Sequence, residues 1–175
     1  MTDTLQPKTE HVARPPFQAS QQLADHLQQL HVDLIDLHLQ GKQAHWNVVG
    51  KNFRDLHLQL DELVTDARVF SDTVAERMRA IYITPDGRAA TVAAKTSLAE
   101  FPPDEVDTAE TIDLITAAIY ATAGTARRIH DAVDDEDPTS ADILHGVLER
   151  LEQLAWMIDS ENRIANRSIP RPIHE

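Results

Sequence analysis

His45, His57 and Asp61 fall within "QAHWNVVGKNFRDLHLQLDEL", and Asp72 and Glu76 follow in "SDTVAERM". Imidazole and carboxylate are ligand types that hard and borderline metal cations accept. The pattern reads H-x11-H-x3-D-x10-D-x3-E. At about 100° per residue, setting His57 to 0° puts Asp61 at about 40°, Asp72 at about 60° and Glu76 at about 100°. These four residues therefore share one helix face. It borders an apolar stripe made by Phe53, Leu56, Leu60, Leu63, Ala67, Phe70, Val74 and Met78.

One helix cannot close these four ligands on one ion. At about 1.5 Å per residue, Asp61 and Asp72 stand about 16 Å apart and His57 and Glu76 about 28 Å apart, whereas metal–ligand bonds are about 2 Å. The numbering offers a solution, because His57 and Glu76 share their midpoint, between Asp66 and Ala67, with Asp61 and Asp72. A two-fold axis at that point would set His57 level with Glu76 of a partner and Asp61 level with Asp72. An isologous interface has this self-complementary form, and each would create two equivalent sites. His45, at the end of the preceding helix, would reach the His57 side. Any one of these residues alone reads equally as a solvated surface group; the shared face and shared midpoint set the group apart.

The elements that must position these residues are helical. Leu23, Leu27, Leu30, Leu34, Leu37, Gly41 and Ala44 mark a first helix from about Ser20, a plausible N-cap, to Trp46. The segment "NVVGKN" breaks it, and the second helix runs from about Asn52 to Ala80. "TPDGR" reads as a turn, "AATVAAKT" as a short helix and "FPPDEVD" as a loop. Ile112, Ile115, Ile119, Ala123, Ala126, Ile129 and Val133 mark a third long helix. The run "DDEDPTS" interrupts, since Pro138 does not fit a helix interior, and Leu144, Val147, Leu151, Leu154 and Ile158 mark a fourth. The expected fold is all-α: a four-helix bundle over 20–165, with a short extra helix in a long crossover between the second and third long helices. Residues 1–19 and 166–175 read as tails.

Composition narrows the function classes. With 175 residues, 42% of them hydrophobic, one sizeable core is expected. There is no Cys, so thiolate metal sites and disulfides are excluded. A net charge of -13 opposes a nucleic-acid grip by the body of the fold and favours attraction of cations. No apolar leader opens the chain, and "LITAAIYATAGTA" is too short to span a bilayer. The expected location is the cytoplasm, extending to the nucleoid if DNA is bound.

On "KQAHWNVVGKNFRDLHLQLDEL", "SDTVAERM" and "ADILHGVLERLEQLAWMI", the chain resembles the Dps family of ferritin-like mini-ferritins. The resemblance covers about Leu23 to Asn162 and implies a ferroxidase centre between two-fold-related subunits. By position, His45, His57 and Asp61 come from one subunit and Asp72 and Glu76 from its partner. It further implies a hollow homododecamer that oxidises Fe(II), preferentially with hydrogen peroxide, and stores ferric mineral. Trp46 would sit near the iron as an electron donor; a plain aromatic plug is the competing account. Bundle di-iron oxygenases use paired Glu-x-x-His motifs, and none is present.

Other features are weighed against this frame. The run from Asp131 to Asp142 reads as a solvated turn. In the family that region lines three-fold iron-entry pores, which points to Asp142 and, less directly, to Asp137 and Glu152. His31, His38 and His45 recur every seven residues and form a stripe; His31 and His38 read as partly exposed neighbours of an interface, and His38 has no counterpart in the family pattern. Tyr82 and Tyr120 read as core or interface residues. The first tail is neutral, and residues 163–175 carry Arg163, Arg167 and Arg171 against Glu175. Weak DNA contact through the tails is therefore conceivable, and a nucleoid-compacting protein with secondary iron chemistry is the alternative.

Overall fold

The structure, a computed structural model, describes residues 17–164. In chain order its elements are α1 (Gln21–Asn47), β1 (Val48–Val49), α2 (Phe53–Ala80), α3 (Ala89–Lys95), β2 (Val106–Asp107), α4 (Thr108–Glu136) and α5 (Pro138–Asp159). The four long helices form the expected bundle. α1 packs on α2 and α4, and α5 packs on α4 and α2. The core is drawn from the apolar stripes: Leu30, Leu34 and Leu37, Leu56, Leu60 and Leu63, Ile115 and Ile119, Leu144 and Leu151 are all fully buried. Truncating one such leucine to alanine costs about 2–5 kcal/mol. The tails before Phe17 and after Ile164, with the charges discussed above, lie largely outside the described residues.

Local chemistry sets the helix ends. Ser20 caps α1, its Oγ accepting from the Leu23 N–H at 3.0 Å. The same residue donates from its N and Oγ to Glu136, each at 2.6 Å, so the start of α1 is tied to the end of α4. Asp107 caps α4 by accepting from the Glu110 N–H at 3.0 Å. The α1–α2 link turns sharply because Gly50 takes φ 119° and Asn52 takes φ 59°, both left-handed.

Three features depart from the sequence reading. First, β1 and β2 pair in parallel, Val48 with Val106 and Val49 with Asp107. A two-residue strand is too short to show alternation, yet it pins the end of the crossover to the α1–α2 link. Second, the crossover is clamped by Asp33, which is wholly buried. Its carboxylate accepts from Ser97 N at 2.9 Å, Ser97 Oγ at 2.8 Å, Thr125 Oγ1 at 2.7 Å and Gln29 Nε2 at 3.0 Å. Four donors satisfy a buried carboxylate that would otherwise be costly.

Third, the acidic run is not a solvated turn. Asp134, Asp135 and Glu136 extend α4, and Pro138 opens α5 at its first turn, where its missing N–H costs nothing. Only Asp137 lies between the helices. Asp137 is buried, and both its oxygens accept from Arg77, at 2.7 and 2.8 Å, with Ser140 hydrogen-bonded beside them. Burial opposes ionisation of this carboxyl, but the Arg77 and Ser140 hydrogen bonds outweigh it and hold its pKa below the ordinary value. Asp137, expected at a pore, is engaged by Arg77 within the chain.

Candidate metal centre

His45 stands in the last turn of α1 and His57 in the second turn of α2, brought face to face by the β1 link. A helix leaves its last carbonyls without intrahelical partners. His57 Nδ1 lies 3.0 Å from the His45 carbonyl oxygen, and His45 Nδ1 lies 3.0 Å from the His57 carbonyl oxygen. A carbonyl only accepts, so each Nδ1 must carry the proton. Each Nε2 is thereby left with its lone pair, the tautomer a metal-bound imidazole needs. The rings stack at a centroid separation of 3.6 Å, and Phe53 lies 5.1 Å from the His57 ring. Close helix approach permits this: a Cβ on Gly41 would meet Val64 Cγ2 at 3.0 Å.

Asp61, one turn after His57, completes the group. His45, His57 and Asp61 each offer a ligand atom within 4.8 Å of the others, and they are the only such cluster among the described residues. Asp61 Oδ1 is held by Lys42 Nζ at 2.6 Å and lies 3.3 Å from His45 Nδ1. The Lys42 hydrogen bond, reinforced by the two histidines, holds the Asp61 carboxyl below its usual pKa. The carboxylate is thus ionised and ready as a ligand at neutral pH. His45 is buried, while His57 and Asp61 are partly exposed, so the group opens to the surface. Donor types, fixed tautomers and an ionised carboxylate fit an Fe(II) substrate.

Asp72 and Glu76 do not join this group within the chain. Both are exposed on α2. Asp72 lines an open groove of about 700 Å³ with His31, His38, Thr65, Arg68 and Val69. Trp46 follows His45 and is 69% exposed. His31 departs from expectation: it is buried, its Nδ1 lies 3.0 Å from the Ser71 carbonyl oxygen, and burial lowers its pKa. His38 is half-buried with its pKa likewise lowered by burial. Tyr82 and Tyr120 are both exposed, so neither is core. Glu152 pairs with Arg127, whereas Asp142 is open, its nearest partner His145 Nδ1 at 3.7 Å. The sequence reading missed Lys42, although its lysine stands three residues before His45 on the same helix turn.

The bundle, its single long crossover and the polar group between α1 and α2 define a ferritin-like protein. The ferritin-like domain family matches residues 24–166. DNA protection during starvation protein 2 of Deinococcus radiodurans is 38% identical over 135 residues, 75% of this chain and 55% of that protein's length. The corresponding protein of Agrobacterium fabrum is 34% identical over 131 residues, 73% of this chain and 79% of its own. The solved Dps of Microbacterium arborescens, in its high iron form, is 31% identical, covers 83% of this chain and 97% of its own, and superposes with a TM-score of 0.74. The chain belongs to the Dps, or mini-ferritin, family. Iron binding, iron storage and oxidative protection are the general functions that go with this family.

Proposed function

We propose that the chain is a Dps-type ferroxidase that oxidises Fe(II) with hydrogen peroxide at centres shared across a two-fold axis and stores the ferric product inside a homododecamer. The observation that carries this reading is the reciprocal pairing of His45 and His57, which puts each ring proton on Nδ1 and leaves both Nε2 lone pairs free in a cluster with Asp61. A three-ligand group is half a centre. Asp72 and Glu76 supply the matching half on the same α2 face, exposed and without a hydrogen-bond or ion-pair partner among the described residues. Along α2 the groove is lined by Val64, Thr65, Arg68, Val69, Ser71, Asp72 and Ala75, which flank the midpoint between Asp66 and Ala67 in sequence, and Val69 there is 57% exposed. An exposed apolar residue beside complementary ligands is what a self-complementary interface requires.

In this reading the substrate Fe(II) is held by imidazole and carboxylate, and negative carboxylates favour the more highly charged ferric product. Each peroxide takes two electrons, one from each of two Fe(II) ions, and both its oxygens leave as hydroxide. In this reading Trp46, exposed and adjacent to His45 in sequence, donates the second electron to peroxide when only one iron is present, which keeps hydroxyl radical out of solution. Asp142, open to solvent, is the leading candidate for the iron-entry pore; Glu152, ten residues further along α5, is a weaker one because Arg127 partly neutralises it. Asp142→Asn is expected to slow iron uptake at low ionic strength and leave assembly intact. Among the described residues Arg77, Arg88, Arg127 and Arg150 are each paired with a carboxylate, whereas Lys51, Arg54, Arg68, Arg79, Lys95 and Arg128 have no carboxylate partner there. It is the net charge of -13 that opposes DNA contact by the bundle, so such contact would fall to the tails and be weak. No described helix is long and apolar enough to cross a membrane, and a cytoplasmic location fits the reducing chemistry of Fe(II) supply.

Mixed assembly tests the shared centre. One parent carries His57→Ala with Asp61→Ala, the other Asp72→Ala with Glu76→Ala. Neither parent alone has a whole centre. In a mixed dimer one centre is whole and the other doubly broken, so random co-assembly restores about a quarter of the centres. Peroxide-dependent Fe(II) oxidation by co-expressed parents should recover to about that fraction. No recovery in confirmed mixed shells would place the centre within one chain.

A further inference from the structure

A second pair of histidines faces across α4 and α5, away from the His45–His57 link. His130 Nε2 and His145 Nε2 lie 2.7 Å apart, with ring centroids 4.8 Å apart and planes inclined by 33°. They line a cavity of about 290 Å³ with Arg127, Asp131 and Leu148. His130 Nδ1 lies 2.9 Å from Asp131 Oδ1, and His145 Nδ1 lies 3.7 Å from Asp142 Oδ1. A carboxylate only accepts, so Asp131 fixes the proton of His130 on Nδ1 and leaves Nε2 as a lone pair. Asp142 is too far from His145 Nδ1 for a hydrogen bond, so the 2.7 Å contact is one in which His145 Nε2–H donates to the His130 Nε2 lone pair. Moving that single proton to His145 Nδ1, on the side of the Asp142 charge, frees both Nε2 lone pairs for one cation in its place.

We propose that His130 and His145 form a binding site for an exchangeable divalent transition cation of the zinc class, separate from the iron centre. Imidazole nitrogens with carboxylates behind them are the arrangement that orients and strengthens histidine ligands. Two nitrogens cis on one ion at about 2.0–2.1 Å each stand about 2.9–3.4 Å apart, which a small ring rotation reaches from the observed separation. Arg127, the cation among the described residues that line the cavity, is paired with Glu152. Two protein ligands leave the other positions to water, so the ion is held reversibly. Neutral imidazole favours Zn(II), Ni(II) and Cu(II) over Fe(II) along the usual affinity order. The site would therefore sort such cations from the iron substrate.

The test is titration of the metal-free full-length protein with Zn(II) by calorimetry, and with Co(II) by visible absorption. His145→Ala should remove about one equivalent per chain, and Asp131→Asn should weaken that equivalent about tenfold. Running the series in the native chain and again in His57→Ala separates this site from the iron centre; if His57→Ala does not fold, the native series decides alone. Peroxide-dependent Fe(II) oxidation should persist in His145→Ala. Unchanged Zn(II) stoichiometry and affinity in His145→Ala would overturn the proposal and leave the pair as a hydrogen bond only. Because zinc binding is read directly, it stands or falls apart from the ferroxidase reading.

Discussion

Asp61 and Asp137 both sit against a cation of their own chain, yet the two regions do opposite things. Asp137 is buried against Arg77, gives both oxygens to it and has Ser140 alongside. Asp61 is about half exposed, and both close nitrogen contacts, Lys42 Nζ and His45 Nδ1, converge on Oδ1 alone. A bidentate guanidinium in a buried corner cannot be displaced without stranding a charge. A lysine on a flexible stem at the surface can step aside. What an acidic residue can do is set by how completely its own chain has already satisfied it.

The corner is where the largest stability effect is expected. Asp137→Asn leaves Arg77 half-buried without its counter-charge, and breaking such a pair costs about 3 kcal/mol. Chemical denaturation of the assembled protein should show this loss at neutral pH. The sign with pH follows from the depressed pKa. The contribution of Asp137 is full above its unfolded value of about 3.9 and is lost as pH falls through the lower folded value. The stability gap between native chain and variant should therefore be flat above about pH 5 and close as acid is added. A gap that widened in acid would show that Arg77 is not what holds this carboxyl ionised.

At the open end the largest effect should be on activity instead. His57→Ala removes one ligand, leaves the His45 carbonyl without its ring partner and takes away the ring stacked on His45, while the backbone carbonyl at position 57 still accepts from His45 Nδ1. Loss of a supporting group alone costs about 10–100-fold at metal sites, so the initial rate of Fe(II) oxidation should fall by at least about 100-fold. Stability should change far less than in Asp137→Asn, since His57 is partly exposed. A variant that kept its rate would remove these histidines from the iron chemistry and undo the contrast between the two regions.

Most of the bundle was legible because burial in a helix leaves a three- and four-residue signature. The Leu23 to Ala44 and Phe53 to Met78 stripes locate α1 and α2 to within a residue or so. The clustering of His45, His57 and Asp61 was legible for the same reason, since they are four residues apart or joined by a single turn. Asp137 was not. A run of acids carries no sign of which member will be buried, and Arg77 lies sixty residues away in sequence. Asp33 is hidden likewise, since Ser97 and Thr125 reach it only after the crossover has folded back. His130 and His145 carry no spacing signal, because their helices meet only in the packed bundle. Local period shows which face a residue takes, but not which distant side chain waits there.

The finest test of the contrast is Lys42→Met, the smallest effect expected. The methionine keeps the length of the stem and removes the charge that Asp61 now answers. At neutral pH Asp61 is ionised with or without Lys42, so the proton is not what an incoming cation must displace. The ammonium is. Exposed ion pairs are worth up to about 1 kcal/mol, so removing this competitor should tighten cation binding by about two- to fivefold. The effect should shrink at high salt, where surface charges are screened over about 3 Å at 1 M. Calorimetric titration of metal-free native and Lys42→Met protein with Zn(II), each also carrying His145→Ala, reads the centre in isolation. Weaker binding in the methionine variant would mean that Lys42 holds Asp61 in its productive rotamer and assists the cation. The lysine would then be a positioning residue, and Asp61 would resemble Asp137 more closely than its exposure indicates.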